Sequence, residues 1–291
     1  MATTLSVGYV RTFENNVRMA AQQKRSLLRD WTQVVYNNSE SHFWPKVAAE
    51  EMASKSSTTA AASTPVADHV WTRRRDLAAV YAIGDLVQTN DINQMIVDPK
   101  SVYVESFGAA VGRQLDNLVL DAAIGTALTD HAATTASFPA GQVIGDYSGE
   151  ISFDIVAQVL ELFNTNNVPL DEAKCFVIGP KQLRKLQGLV EYTSSDYNNV
   201  KALATNGYVQ SWMGFTWIVS NLLNVPGVDQ LDCLAFTKKA IGLHIAEEPR
   251  VEVDKDPSAS FDWRLYCQLS AGAVRIQDEH IVHFKAANTV T

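Results

Sequence analysis

One junction in the sequence has a residue pattern that could bind an anion. The apolar run 174–178 predicts a short buried strand, and Gly179-Pro180 turns it into a short helix over 181–187. Free amides at a helix N-terminus can bind phosphate groups. The Gly-rich spacing of a phosphate-binding loop is missing. We therefore interpret the junction as a structural turn.

The histidines and acidic pairs lack the spacing of a catalytic or metal site. His280 and His283 are three residues apart in a predicted strand, so we expect them on opposite faces at an exposed edge. The other histidines have no Cys or His at ligand spacing: His42, His69, His131 and His244. The acidic pairs are most simply solvated charge: Glu50/Glu51, Glu247/Glu248 and Asp278/Glu279. We predict no enzyme, with no catalytic, cofactor-binding or metal residues and no cofactor.

The triplet Arg73-Arg74-Arg75 could contact phosphate or an acidic surface. It lies in a predicted strand, where only Arg73 and Arg75 share a face. An acidic neighbouring subunit would serve as well as phosphate, and we favour the subunit contact.

Composition limits the class of protein. A chain of 291 residues can bury a large core, and its net charge of −8 argues against a protein that grips nucleic acid with a basic face. The three cysteines lie in apolar runs, which favours reduced, buried thiols in a cytosolic setting. No window approaches the roughly 18 apolar residues of a membrane span. The N-terminus lacks the pattern of a secretory signal.

A long helix over residues 98–128 is the element that must position the others. Asp98 suits its N-cap and Pro99 its first position. One arc of the helical wheel is apolar: Val104, Phe107, Val111, Leu115, Leu118, Val119 and Ala122. Polar side chains, Asp116 among them, fill the other side. Gly108 and Gly112 would allow another backbone to approach closely.

The residues before this helix bury little apolar surface by themselves. Residues 12–30 are polar, with five basic residues between Arg11 and Arg29, and predict an arm that is helical in part. We expect it to order against a neighbouring copy; the alternative is a helix on its own domain. Two strand-like stretches, 32–48 and 69–83, flank a small, polar tip and predict a long hairpin that reaches outward.

The rest of the chain predicts an α+β fold. A second helix begins at Ser152, with one apolar face: Phe153, Val156, Val159, Leu160 and Phe163. Further strands are predicted at 215–219, 233–236, 241–245, 251–253, 263–267 and 281–284, with a turn at 254–258.

This order of parts resembles the major capsid proteins of tailed bacteriophages with the Hong Kong 97-like fold. Short motifs appear in the order found in that group: FENNVRMAAQQK at 13–24, IVDPKS at 96–101 with GRQLD at 112–116, FPAGQ at 138–142, VIGPKQ at 177–182, TSSDYN at 193–198 and MGF at 213–215. The match covers about residues 12–285.

The resemblance implies a division of the chain into five parts. Residues 1–34 would be an N-terminal arm and 35–92 an extended β-hairpin loop lying on the neighbouring subunit. Residues 93–150 would form a peripheral domain around the spine helix 98–128, and 151–232 an α/β axial domain. Residues 233–291 would return as strands to both domains.

The resemblance also implies a function and partners. The chain would self-assemble, through pentamers and hexamers, into an icosahedral head shell enclosing a double-stranded DNA genome without sequence-specific binding. Because the arm begins within the first dozen residues, a separate scaffolding protein is expected, together with a portal. The resemblance allows for a decoration protein and implies no membrane contact. The protein would be located in the virion after assembly in the host cytoplasm.

Two other hypotheses remain open from the sequence. An encapsulin-type bacterial nanocompartment shell has the same fold but encloses enzyme cargo; the outreaching hairpin and weakly apolar arm favour the virus. A soluble α+β enzyme would show a pocket with perturbed ionisable groups.

Overall fold

The computed structural model describes residues 22–48, 52, 69–87, 99–129, 134–189 and 210–289. In these residues the fold combines α-helices with three β-sheets. The three helices are α1 (Pro99–Ile124), α2 (Phe153–Thr165) and α3 (Pro180–Gln187). The α+β class predicted from the sequence is confirmed. No described helix is long and apolar enough to cross a bilayer.

The strands up to the second helix are short, except for one. They are β1 (Gln33–Tyr36), β2 (Phe43–Val47), β3 (Trp71–Arg75), β4 (Ala79–Val87), β5 (Ala127–Thr129), β6 (Thr134–Ala136) and β7 (Val143–Ile144). The later strands build most of the core. They are β8 (Lys174–Ile178), β9 (Ser211–Trp212), β10 (Phe215–Val219), β11 (Gln230–Thr237), β12 (Ile241–Asp256), β13 (Asp262–Arg275) and β14 (Ile281–Ala287).

The six-stranded central sheet contains the largest buried cluster. Its strand order is β7-β14-β11-β8-β10-β9, with β8 parallel to β10 and antiparallel to β11. Every residue of β8 is buried, as predicted. Helix α2 packs Val156, Val159 and Phe163 into this core, and its N-cap Ser152 accepts a hydrogen bond from the amide of Ile155. Phe153, which we placed on the same face, is 44% exposed, since it lies at the first position of the helix.

A second sheet, ordered β1-β12-β13-β4, carries the longest strands. The predicted strands 241–245 and 251–253 are one strand, β12, interrupted by register shifts between Ile245 and Arg250. Helix α1 lies against this sheet, where Phe107 packs with Val87, Leu265 and Cys267. The sheet extends well past the central core.

The hairpin predicted over 35–92 is present only in part. Strands β2 and β3 pair antiparallel, from Phe43 opposite Arg75 to Val47 opposite Trp71. In contrast, β1 pairs in parallel with β12, and β4 pairs with β13. Both strands therefore belong to the second sheet, because their partners supply hydrogen bonds that a two-stranded hairpin could not. The predicted tip lies largely outside the described residues.

The long helix is confirmed, but it is shorter than predicted. It begins at Pro99 and ends at Ile124, and residues 127–129 form β5, which pairs with β3 and β6. The Arg275 guanidinium donates to the carbonyls of Ala123 and Gly125, which caps the helix end. The expected N-cap, Asp98, lies outside the described residues.

Candidate assembly surfaces

The final part of the predicted arm crosses helix α1 of its own chain. A Cβ on Gly112 would lie 2.8 Å from the backbone nitrogen of Ser26, so the two backbones are in direct contact. The predicted close approach is confirmed at Gly112, whereas Gly108 has open space above it. The Arg113 guanidinium also donates to the Gln22 side chain at 2.8 Å. Residues 22–32 thus follow the alternative interpretation, a segment on its own domain, while residues 1–21 lie outside the described residues.

The Asp116 carboxylate organises this crossing. It is fully buried and accepts hydrogen bonds from the amides of Leu27 and Leu28 and the hydroxyl of Ser26. The Gln23 side chain donates to the same carboxylate at 2.5 Å. Helix is nearly absent from this segment, with one 3₁₀ turn at Arg29–Trp31, because amides 27 and 28 bond to a carboxylate instead of to helix carbonyls.

The two strands of the β2–β3 hairpin are tied to the body by ion pairs. Arg74 donates to Asp278 at 2.8 Å, and Lys46 donates to Glu279 at 2.8 Å. The pair Asp278/Glu279, predicted to be solvated, therefore anchors the hairpin. Arg275 extends the network because its Nε donates to Asp278 at 2.5 Å. The Arg275 side chain is fully buried. Burial disfavours the charge of Glu279, but the Lys46 ammonium outweighs it and the pKa of Glu279 is lowered.

Neighbouring side chains in a strand point to opposite faces, and Arg73 and Arg74 follow this rule. Arg74 points to the body, whereas the exposed Arg73 guanidinium lies 4.9 Å from the ring centroid of Phe43. Arg75 is half-buried. Contact of Arg73 with a neighbouring subunit stays a prediction.

Two exposed apolar surfaces remain on the described residues. The hairpin-end surface consists of Val47, Val70 and Trp71. The distal-sheet surface consists of Val80 and Leu86 on one face of β4. Val251 and Val253 of β12 are exposed on the opposite face of the sheet.

The distal part of the second sheet also has open edges. Residues 250–256 of β12 pair only with β13 among the described strands, and so does β4. Open strand edges and apolar side chains are the features through which extended sheets bind further chains.

The residues considered for chemistry have structural roles instead. At the predicted anion junction, the Lys181 ammonium donates to the carbonyl of Asn288, and the Gln182 amide donates to that of Ala287. The polar side chains at this helix end are therefore bonded to the chain's own carbonyls. His283 is buried in β14 and bonds to Asp232 at 2.8 Å, so the expected exposed edge is wrong for this residue. The strand lies between β11 and β7.

His280 and the cysteines are also packed into the protein. His280 is part of a 3₁₀ turn rather than a strand, and its ring bonds to the Thr237 hydroxyl at 2.8 Å. Burial, with Lys239 nearby, lowers its pKa. All three cysteines are buried and unpaired, and burial raises the pKa of Cys233 to about 12. Within the described ranges, no group of His, Cys, Asp and Glu side chains is arranged to hold a metal ion.

Comparisons with known proteins point to one kind of assembly. The family model described as "Phage capsid protein" matches residues 5–287. No curated protein matches the chain. Among solved structures, the capsid of cyanophage P-SCSP1u is 18% identical and has a TM-score of 0.74, covering 97% of this chain and 94% of that one.

Two further phage structures agree with this result. The Mycobacterium phage Che8 structure is 15% identical with a TM-score of 0.70, covering 96% of this chain and 97% of that one. The mature capsid of bacteriophage PhiM1 is 12% identical with a TM-score of 0.70, covering 97% and 93%. At these identities the likeness shows the fold, which is that of phage capsid shells.

Proposed function

Because the chain belongs to the phage capsid protein family, and is therefore a structural subunit of the virion shell, we propose that its two exposed apolar surfaces join neighbouring copies. The hairpin-end surface carries this proposal. The Trp71 side chain is 68% exposed and Val70 is 59% exposed. Large exposed apolar side chains grouped on a hairpin are typical of a binding surface.

The distal-sheet surface provides a second contact. Val80 is 63% exposed and Leu86 is 51% exposed, and the two residues lie six positions apart on the same face of the edge strand β4. The hairpin-end and distal-sheet surfaces have different residues and shapes, so a contact between them is heterologous. Heterologous contacts form closed rings when the rotation closes, which suits capsomers of five and six copies.

The proposal retains the division of the chain drawn from the resemblance. Residues 1–34 are the arm, 35–92 the extended loop, 93–150 the peripheral domain, 151–232 the axial domain and 233–291 the returning strands. The loop would rest on the neighbouring subunit, and the axial domain would meet its copies around the capsomer axis. The ion pairs of Lys46 and Arg74 support a loop whose two described strands are fixed to the body of their own subunit.

The partners and the location of assembly are further parts of the proposal. A separate scaffolding protein and a portal would act during assembly in the host cytoplasm, and a decoration protein is allowed. The shell would enclose double-stranded DNA without reading its sequence, consistent with a net charge of −8. The protein would carry out no catalysis, because the side chains of the candidate chemistry are engaged in structural bonds.

Electron microscopy of the purified chain tests the proposal. Wild-type protein, with scaffolding protein added where it is needed, should form uniform hollow polyhedral particles. Trp71→Ser should reduce the particle yield at least tenfold while leaving the thermal unfolding of the subunit unchanged. Leu170→Ser is the matched control, since Leu170 is 77% exposed in a turn outside both surfaces.

Three outcomes would contradict the proposal. Dispersed wild-type protein under all conditions would contradict assembly itself. A normal particle yield of Trp71→Ser would remove the hairpin end from the interface. An equal loss in Leu170→Ser would show that the effect is not specific to the hairpin.

A further inference from the structure

The base of the hairpin rests on a buried histidine. His244 lies in β12, and its partner Asp76 follows β3 directly; both side chains are fully buried. The Nδ1 of His244 is 3.1 Å from Oδ1 of Asp76, and its Nε2 is 2.7 Å from the carbonyl oxygen of Asn37. Both ring nitrogens are therefore within hydrogen-bond distance of oxygen atoms.

Counting donors and acceptors shows how many protons this pair shares. A backbone carbonyl only accepts hydrogen bonds, so the Nε2 of His244 must carry a proton. In a neutral histidine the second ring nitrogen can only accept a hydrogen bond. In His244 this second nitrogen is Nδ1, and it faces a carboxylate oxygen, which also only accepts. The Asp76 carboxylate already accepts from the amide of His42 at 2.8 Å and from Nε1 of Trp44 at 2.9 Å. The contact between Nδ1 and Oδ1 therefore needs a proton of its own.

We propose that His244 is held as an imidazolium, with a proton on each ring nitrogen, and that its ion pair with Asp76 positions the hairpin. The inference rests on the proposed function, since it concerns the loop that contacts the neighbouring copy. Facing His244 are Asp76, from the segment between β3 and β4, and His42, from the start of β2, whose ring centroid is 5.7 Å away. His42 is cationic when protonated and would then oppose the charge, whereas Asp76 favours it.

The surrounding backbone explains why this pair controls orientation. Asn37 and His42 precede the first hairpin strand, and Asp76 follows the second, so His244 links both ends of the hairpin to one strand of the sheet. Two glycines of the sheet let the ends of the hairpin approach it closely. A Cβ on Gly242 would collide with the Trp44 ring, and one on Gly272 would collide with the Leu77 carbonyl. With the hairpin seated this closely, the buried pair sets its angle to the sheet.

Solid-state NMR of assembled wild-type particles labelled with ¹⁵N-histidine and ¹³C tests the protonation directly. His244 is assigned through its backbone links to Leu243 and Ile245. Near neutral pH, both of its ring nitrogens should show the shifts of protonated nitrogens and a cross-peak to the Asp76 carboxyl. One protonated and one unprotonated nitrogen would overturn the inference.

The second buried His–Asp pair is an internal control. The Nε2 of His283 donates to Asp232, a bond that a neutral ring makes with a single proton. His283 is read in the same spectrum for comparison. An imidazolium pattern at both histidines would show that the signature follows burial beside a carboxylate rather than the two-acceptor geometry of His244, and would overturn the argument.

Variants test the positioning role. An Asn at position 76 has one acceptor oxygen for three converging donors, so Asp76→Asn should lower the particle yield at least tenfold, as should His244→Gln. Asp121→Asn, at an exposed position of α1 outside both proposed surfaces, is the control and should assemble normally. Normal assembly of both hairpin-base variants would overturn the role.

Failures of the two proposals can be told apart. Wild-type shells that contain a neutral His244 refute only the inference. If the wild type forms no shells, the proposed function fails, and the same spectrum recorded on the subunit still decides the protonation. If the position 76 and 244 variants do not fold, the wild-type spectrum remains decisive.

Discussion

The amide of Leu28 donates a hydrogen bond to the carboxylate of Asp116 at 3.0 Å, and both residues are fully buried. The contact joins the start of the chain to the middle of helix α1. It replaces a helix carbonyl with a side-chain acceptor, so the arm can cross the helix as an irregular segment with its amides satisfied.

Asp116→Asn should destabilise the subunit by about 2–4 kcal/mol. Two amides and a hydroxyl point at the carboxylate, and an Asn NH₂ group would face one of these donors instead of accepting from it. Chemical unfolding with a spectroscopic probe measures the change. Asp121→Asn, on an exposed position of the same helix, should stay within about 0.5 kcal/mol of wild type. Equal effects of the two substitutions would show that the arm contact contributes nothing.

The two helix glycines should respond to alanine in opposite directions. Gly112→Ala places a methyl group 2.8 Å from the Ser26 nitrogen, so the arm must shift and stability should fall. Gly108→Ala meets open space, and the higher helix propensity of alanine should stabilise the chain by up to about 1 kcal/mol. Thermal unfolding of the two variants side by side checks the sign. Destabilisation by Gly108→Ala would contradict the packing described for this helix.

Local sequence signals predicted most of the regular elements. Ser152 is a good N-cap and α2 begins after it, and the apolar run 174–178 is the buried strand β8. These signals are contained within a few residues, so neighbouring side chains and backbone decide the outcome. The order of elements then led to the capsid resemblance, which the family match confirms.

The sequence could not reveal the roles of charged residues whose partners are distant in the chain. Asp116 was placed on the polar side of the helix, yet the arm covers it. Asp278 was expected to be solvated, but it bonds to Arg74 and Arg275. Val104 was placed on the apolar face and is 37% exposed, because the sheet beneath α1 contacts Phe107 and Val111. In each case tertiary packing overrides the local pattern.

The buried carboxylate of Asp232 should make stability depend on acidic pH. Burial opposes its charge, but hydrogen bonds from His283, Tyr147 and Asn224 outweigh this and lower the pKa of Asp232. A lowered pKa in the folded state means that the stabilisation is fully present above the unfolded value of about 3.9 and is lost as the pH falls below it. The free energy of unfolding of wild type should therefore approach that of Asp232→Asn in this range.

Measuring unfolding of both proteins between about pH 3 and 6 checks this dependence. Asp146→Asn is the comparison, since bonds from Ser148 lower the pKa of that exposed carboxyl within its own loop. A gap between wild type and Asp232→Asn that stays constant down to about pH 3 would contradict the expected linkage.

Arg275 should be highly sensitive to substitution. Its side chain is fully buried, and its guanidinium bonds to three backbone carbonyls and to Asp278, while lying over the ring of Phe138. Arg275→Met removes the charge and leaves Asp278 with one partner and the end of α1 uncapped. Loss of one member of a buried pair costs about 3–5 kcal/mol.

Arg264→Met is the control. It breaks a pair with Asp256 in which the Arg264 side chain is 58% exposed, so its cost should stay below about 1 kcal/mol. Calorimetry of the two variants should show a clearly lower melting temperature for Arg275→Met only. If the two variants melt at similar temperatures, the buried network is not needed to hold β5, β6 and α1 together.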